Sequence, residues 1–167
     1  REGLRVVRDW IERHAPPARP GWEPYPLSLR VREWLEWLLG ARLSPTERRP
    51  IVASLVCQVE ALRRQLEYHL LGNHLLENAI TLCRAGLRLQ GPRRHDWVRR
   101  GYSLLRQSLA MQVLPDGTHE EGSPGYQAQV AEALVRLTSV AAQTPGRAAR
   151  RVARESAAAA ASLLTTL

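Results

Sequence analysis

The chain contains no lysine and no phenylalanine, and it has only one methionine and two cysteines in 167 residues. Two cysteines are too few for a disulfide-stapled scaffold, and Cys57 and Cys83 lack the spacing of a zinc site. Both fall within apolar helical patterns, so buried free thiols are expected. No apolar run is long enough to cross a bilayer, and the Ala-rich stretch from Ala157 to Leu164 is interrupted and follows a charged segment. Alternating or β-branched runs are nearly absent, which argues against a sheet. No repeat of fixed period is visible, which argues against a regular TPR-like or HEAT-like array. Position 1 is not Met and the chain stops after an apolar run, so an internal fragment of a larger protein is expected.

What the chain does have is arginine. All 24 basic residues are Arg against 16 acidic ones, a formal net charge of +8. Such a balance suits a polyanion, and the Arg fork grips carboxylate or sulfate oxygens two at a time. The absence of Lys reads as GC-rich coding, which accounts for part of the basicity. Arg pairs such as Arg48-Arg49, Arg93-Arg94 and Arg150-Arg151 are expected on solvated helical faces. A recognition helix, a one-sided basic stripe and aromatic RNA-binding signatures are missing, so nucleic acid is not expected as a partner.

Apolar residues recur at helical spacing throughout, which predicts an all-α chain. Residues 1–12 read as a helix, followed by a Pro-rich connector from Ala15 to Pro26. Ser28 is expected to cap a helix carrying Val31, Trp34, Leu35 and Leu38 to a stop at Gly40. Ser44-Pro45-Thr46-Glu47 has the form of a capping box with Pro in the first turn. Pro50 is expected to restart or kink the next helix, which continues through Leu55, Leu62, Leu66 and Leu70 to Gly72. Further helices are expected from about His74 to Leu89, from a cap at Asp96 to about Gln112, from Ser123-Pro124 onward, and after Thr144-Pro145-Gly146. Short loops between such helices imply antiparallel hairpins.

Two stretches depart from this pattern: HLLGNHLLENAITL from His69 to Leu82, and DGTHEEGSPGYQ from Asp116 to Gln127. The first sets Asn73-His74 at a helix junction, and the second is a turn-rich loop that delivers Tyr126 into the first turn of a helix. With WEPYPLSLRVREWLEWL from Trp22 to Leu38, they resemble the heparinase II/III-like polysaccharide lyases. The resemblance runs from about Trp22 to Leu167. It implies antiparallel hairpins forming part of an incomplete (α/α) toroid. The whole chain, 1–167, is then one helical domain fragment, with residues 1–27 as N-terminal helix and connector and 28–167 as toroid helices. The rest of the toroid and a β-sandwich would lie outside the chain as partners of the same protein.

The resemblance also implies β-elimination on a uronic-acid polysaccharide. The C5 proton beside a carboxylate is weakly acidic, so fixed donors must stabilise the developing charge while a base removes the proton and an acid protonates the departing oxygen. On that basis Asn73 neutralises the carboxylate, His74 acts as base or orienting group, and Tyr126 is acid or acid-base. Taken singly, Asn73 reads as a cap, His74 as a packing histidine and Tyr126 as a helix anchor. Their combination favours the catalytic reading.

Glu121 and His119 are expected to bind substrate or orient Tyr126, and Trp22 and Tyr25 to offer sugar-stacking faces; Trp34 and Trp37 do so less directly. His69, Glu77 and Asn78 are candidates for supporting Asn73 and His74. No metal ligand set is expected, since adjacent side chains on a short loop rarely converge. No cofactor is expected within the chain, although a structural metal in an absent domain remains compatible with the family. The acidic polysaccharide is the expected partner, and family habit suggests a periplasmic or exported location. Gly122 stands where the family commonly has Arg, and Gln127 where it has His. These departures leave open a catalytically silent domain that binds acidic glycans.

Overall fold

A computed structural model describes residues 2–16, 20–68 and 72–167. Seven helices are found among them, with a single isolated bridge between Val113 and His119 in place of strands. The all-α expectation holds. By contact the chain divides into two units, residues 1–66 and 67–167. The division falls at 66/67, in irregular chain just past the end of a helix.

The first unit holds α1 (Glu2–Arg13), α2 (Pro24–Gly40) and α3 (Pro45–Arg64). α2 begins four residues before Ser28, which is buried inside it. The reason is local: Pro24 and Pro26 occupy the first turn, where a missing N–H costs nothing and a preset φ favours the helix. The capping box at Ser44 forms as expected, with Glu47 N–H donating to Ser44 Oγ and Ser44 N–H donating to Glu47 Oε2 at 2.8 Å. Pro50 lies within α3 without ending it. α2 and α3 run antiparallel: Arg30 Nε donates to Gln58 Oε1 at 2.8 Å, and Arg48 reaches the Leu38 carbonyl at 3.4 Å.

The second unit holds α4 (Gly72–Arg88), α5 (Arg94–Gln112), α6 (Pro124–Ala142) and α7 (Arg147–Leu164). α5 starts two residues ahead of Asp96, which sits in its first turn and pairs with Arg99. Glycine decides how closely α4 and α5 approach. A Cβ on Gly101 would lie 2.9 Å from the Ala79 carbonyl and 2.8 Å from the Cys83 nitrogen, and one on Gly86 would lie 2.6 Å from the Arg94 carbonyl. The two backbones therefore touch along an antiparallel hairpin whose tight turn spans residues 89–93. α6 and α7 form the second hairpin, joined by Thr138 Oγ1 and Ser156 Oγ at 2.8 Å. α4 lies at the centre, with every residue from Leu75 to Leu87 buried. Burial on all sides is the mark of a helix enclosed by neighbours.

The thiol expectation holds for one residue of two. Cys83 is buried and burial pushes its thiol well up, whereas Cys57 is exposed; both are free.

Candidate functional site

Antiparallel pairing puts the start of α4 and the end of α5 at one end of the second unit. The loop from Val113 to Ser123 leaves from that end and leads into α6, so the two motif regions share it. His69 and its neighbours to Leu71 lie outside the described residues. The structure therefore says nothing of the support expected from His69.

At the start of α4, His74 Nδ1 lies 3.2 Å from Oε1 of Glu67. Glu67 itself is 6% exposed, and its backbone N–H donates to Asn78 Oδ1 at 3.2 Å while Asn78 Nδ2 donates to Glu67 Oε2 at 3.4 Å. His74 and Asn78 are four residues apart on one helical face, so a single carboxylate can meet both. The His74 side chain keeps 44% of its surface exposed. Asn73 differs from its neighbour: both its Oδ1 and its Nδ2 are buried and find no hydrogen-bond partner among the described residues. A buried amide left unbonded costs about 1–3 kcal/mol, so such a group calls for a reason. Glu77 is buried as well.

Glu67 was not foreseen. Leu62, Leu66 and Leu70 recur every four residues, which extended α3 on paper through Glu67 and put its carboxylate on an ordinary helix. α3 in fact ends at Arg64, with Gln65 as its C-cap. Leu66 is still buried, and Glu67 is bonded to Asn78 of α4. No local cap signal in the sequence marks the change.

The loop is tied down by different groups. Leu114 N–H donates to the Thr118 carbonyl at 2.9 Å, and Glu120 N–H donates to the Gln112 carbonyl at 2.9 Å. Asp116 accepts from both the Thr118 hydroxyl and its backbone N–H, and these two bonds hold the Asp116 carboxyl below its usual range. Gly117 has φ +90, and a Cβ there would meet the Ser162 carbonyl of α7 at 2.7 Å.

His119 is not a cleft residue. It is 1% exposed; its Nδ1 accepts from the Glu121 N–H at 3.3 Å, and Nε2 faces Gln112 Oε1 at 3.3 Å. Those roles assign the neutral tautomer with hydrogen on Nε2. Both ring nitrogens are thus used by the scaffold, which corrects the expectation of substrate binding. Glu121 is exposed.

Gln127 is likewise a clamp: Oε1 accepts from the His119 N–H at 3.2 Å, and Nε2 donates to the Leu163 carbonyl at 2.8 Å and to Thr166 Oγ1 at 2.7 Å. It faces α7, so an imidazole at this position would not stand beside the Tyr126 phenol. Gly122 has φ +62 with nothing within 4 Å of a built Cβ. Backbone conformation, not space, is what glycine serves there.

Ser123 starts α6 as expected, accepting from the Tyr126 N–H at 3.4 Å. Tyr126 is 47% exposed and borders a shallow depression of about 490 Å³ with Ser123, Gln129 and Glu132.

Trp22 and Tyr25 belong to the first unit. Trp22 is 3% exposed: its ring centroid lies 5.8 Å from that of Trp10, and its Nε1 donates to the His14 carbonyl at 3.2 Å. Trp34 meets Trp10 edge-on at 5.4 Å, His14 stacks on Trp10 at 4.9 Å, and the Arg30 guanidinium sits over it at 3.8 Å. Burial lowers Arg30 to about 10, partly offset by Glu23, which leaves it cationic at neutral pH. Trp22 is therefore a core residue of an aromatic–cation cluster, and the expected sugar-stacking face is covered. Tyr25 is half-buried in the first turn of α2. A larger groove of about 1080 Å³, bordered by Arg5, Arg8, Glu36, Trp37 and Arg42, also lies in this unit and contains none of the motif residues.

No group of three or more His, Cys, Asp or Glu that could hold a metal ion occurs among the described residues. Nor is any described helix long and apolar enough to cross a membrane.

The second unit is thus all-α, with Asn73, a carboxylate-backed His74 and an exposed Tyr126 on it. The family described as Heparinase II/III N-terminus matches residues 4–151, and the chain belongs to that family. Two solved structures share its fold. Heparinase III is 23% identical with a TM-score of 0.69, covering 93% of this chain and 26% of its own. Heparan sulfate lyase HepC from Pedobacter heparinus is 19% identical with a TM-score of 0.70, covering 99% and 27%. The chain thus spans about a quarter of the length of these structures. It has the helical hairpins of their N-terminal toroid, as the resemblance implied. No curated protein matches the chain.

Proposed function

We propose that this chain supplies part of the catalytic region of a lyase that cleaves a uronic-acid-containing acidic polysaccharide by β-elimination. The observation that carries the reading is Asn73: a buried amide with no partner among the described residues, next to a histidine backed by a carboxylate. A donor with no partner among the described residues suits a ligand carboxylate, whose charge grows as the C5 proton leaves. His74 orients or removes that proton, and Tyr126, exposed at the head of α6, protonates the O4 leaving group or acts as acid and base in turn. Electron flow is closed: the C5–H pair forms the new double bond and the C4–O bond breaks, so no redox cofactor is required. The rest of the toroid and a β-sandwich complete the polypeptide, and an exported or periplasmic setting fits a polymeric substrate.

The test is ultraviolet absorbance of the conjugated product when the intact polypeptide meets a panel of polyuronates and glycosaminoglycans beside its Tyr126→Phe variant. A rise that the variant abolishes is expected. No rise with any substrate from folded protein would overturn the reading in favour of glycan binding without catalysis. That second reading rests on Gly122, which stands where the family commonly has Arg; it predicts salt-sensitive retention on an acidic-polysaccharide column with no product.

A further inference from the structure

The geometry points to Glu67 as the positioning residue of His74: with Asn78 it forms a three-residue relay that selects the imidazole tautomer and ring orientation used in proton transfer. The inference rests on the lyase reading of His74.

Glu67 is well placed for this and for little else. It is 6% exposed, and a carboxylate so far from water must have donors. Each oxygen has its own: Oε1 faces His74 Nδ1 at 3.2 Å and Oε2 accepts from Asn78 Nδ2 at 3.4 Å. Asn78, fully buried, also accepts the Glu67 backbone N–H at 3.2 Å, so both main chain and side chain of Glu67 are pinned to α4. A carboxylate that accepts from the ring requires hydrogen on Nδ1 of His74, and in the neutral imidazole that puts the lone pair on Nε2. Of the two neutral forms of the half-exposed ring, the contact thus selects one. A histidine in the wrong tautomer presents a proton where a base must present a lone pair, and serine-protease triads show that this alone can remove most of the rate.

The experiment has two arms. Histidine-labelled 15N spectra of this chain, with the His74 signals assigned by their loss in His74→Gln, should show hydrogen on Nδ1 and a lone pair on Nε2. Glu67→Gln should relax this to a mixture of tautomers. A neutral His74 ring in the unaltered chain with hydrogen on Nε2 and a bare Nδ1 would overturn the proposal without any variant, so poor folding of Glu67→Gln cannot shield it. In the intact polypeptide, Glu67→Gln should lower kcat roughly tenfold or more with KM changed less than about threefold. A relaxed tautomer with unchanged kcat would also overturn it. Unaltered enzyme that forms no unsaturated product is a separate outcome: it removes the lyase reading and with it the catalytic role, while the spectra still decide the relay geometry.

Discussion

The start of α4 and the loop before α6 both carry residues that look chemical in the sequence, yet they use them in opposite ways. In the loop, His119 and Gln127 spend their hydrogen-bonding groups on Gln112, Glu121, Leu163 and Thr166, leaving Tyr126 exposed. At the start of α4, a buried carboxylate holds one histidine, and the adjacent Asn73 amide finds no partner among the described residues. Saturated polar groups build a scaffold. Unsaturated or half-exposed ones, held by such a scaffold, are where stability has been given up for function.

The largest effects should come from breaking that contrast at its reactive side. Asn73→Ala and Tyr126→Phe in the intact polypeptide should each lower turnover by about 10²-fold or more. Melting temperature should be unchanged or slightly raised, because Asn73→Ala removes a buried amide that has no partner among the described residues and places a good helix former in the first turn of α4. A variant that lost activity only in proportion to lost folded protein would show instead that the residue is scaffold.

The reverse pattern is expected for His119→Ala. It removes the bond to Gln112 and strands the Glu121 N–H, at about 2 kcal/mol of stability in denaturant unfolding. Turnover per folded molecule should change less than about tenfold.

Next come the two positions that differ from common family residues. Gln127→His should not raise activity, and it should lower stability by about 1–3 kcal/mol through the lost bonds to Leu163 and Thr166. Gly122→Arg should cost about 1–2 kcal/mol from its left-handed backbone. A rise in kcat with either variant would show that the loop's present form limits catalysis.

The smallest effect is at Asp116. Thr118 lowers its carboxyl in the folded chain, so the associated stability is present above the unfolded value of about 4 and is lost as pH falls through the folded one. Asp116→Asn should therefore melt slightly below the unaltered chain at neutral pH, and the two curves should converge in acid.

How much was legible follows from the range of the interactions involved. The Ser44 capping box, the Ser123-Pro124 start and the helical periods rest on residues within one turn of each other, and sequence displays them directly. Even so, Pro24 and Pro26 were read as connector when they open α2, because Pro favours a first turn as readily as a loop. Leu66 misled for a related reason: burial rewards an apolar side chain equally on a helix or on irregular chain.

The sequence by itself determined an all-α chain, the stops of α2 and α5 and the Asn73, His74 and Tyr126 motif, since each depends on local pattern or on a recognisable string. Only the tertiary structure decided that Glu67 backs His74, that His119 and Gln127 are clamps, and that Trp22 is core. Those facts depend on which donor meets which acceptor across separate elements, and on which faces the neighbouring helices cover.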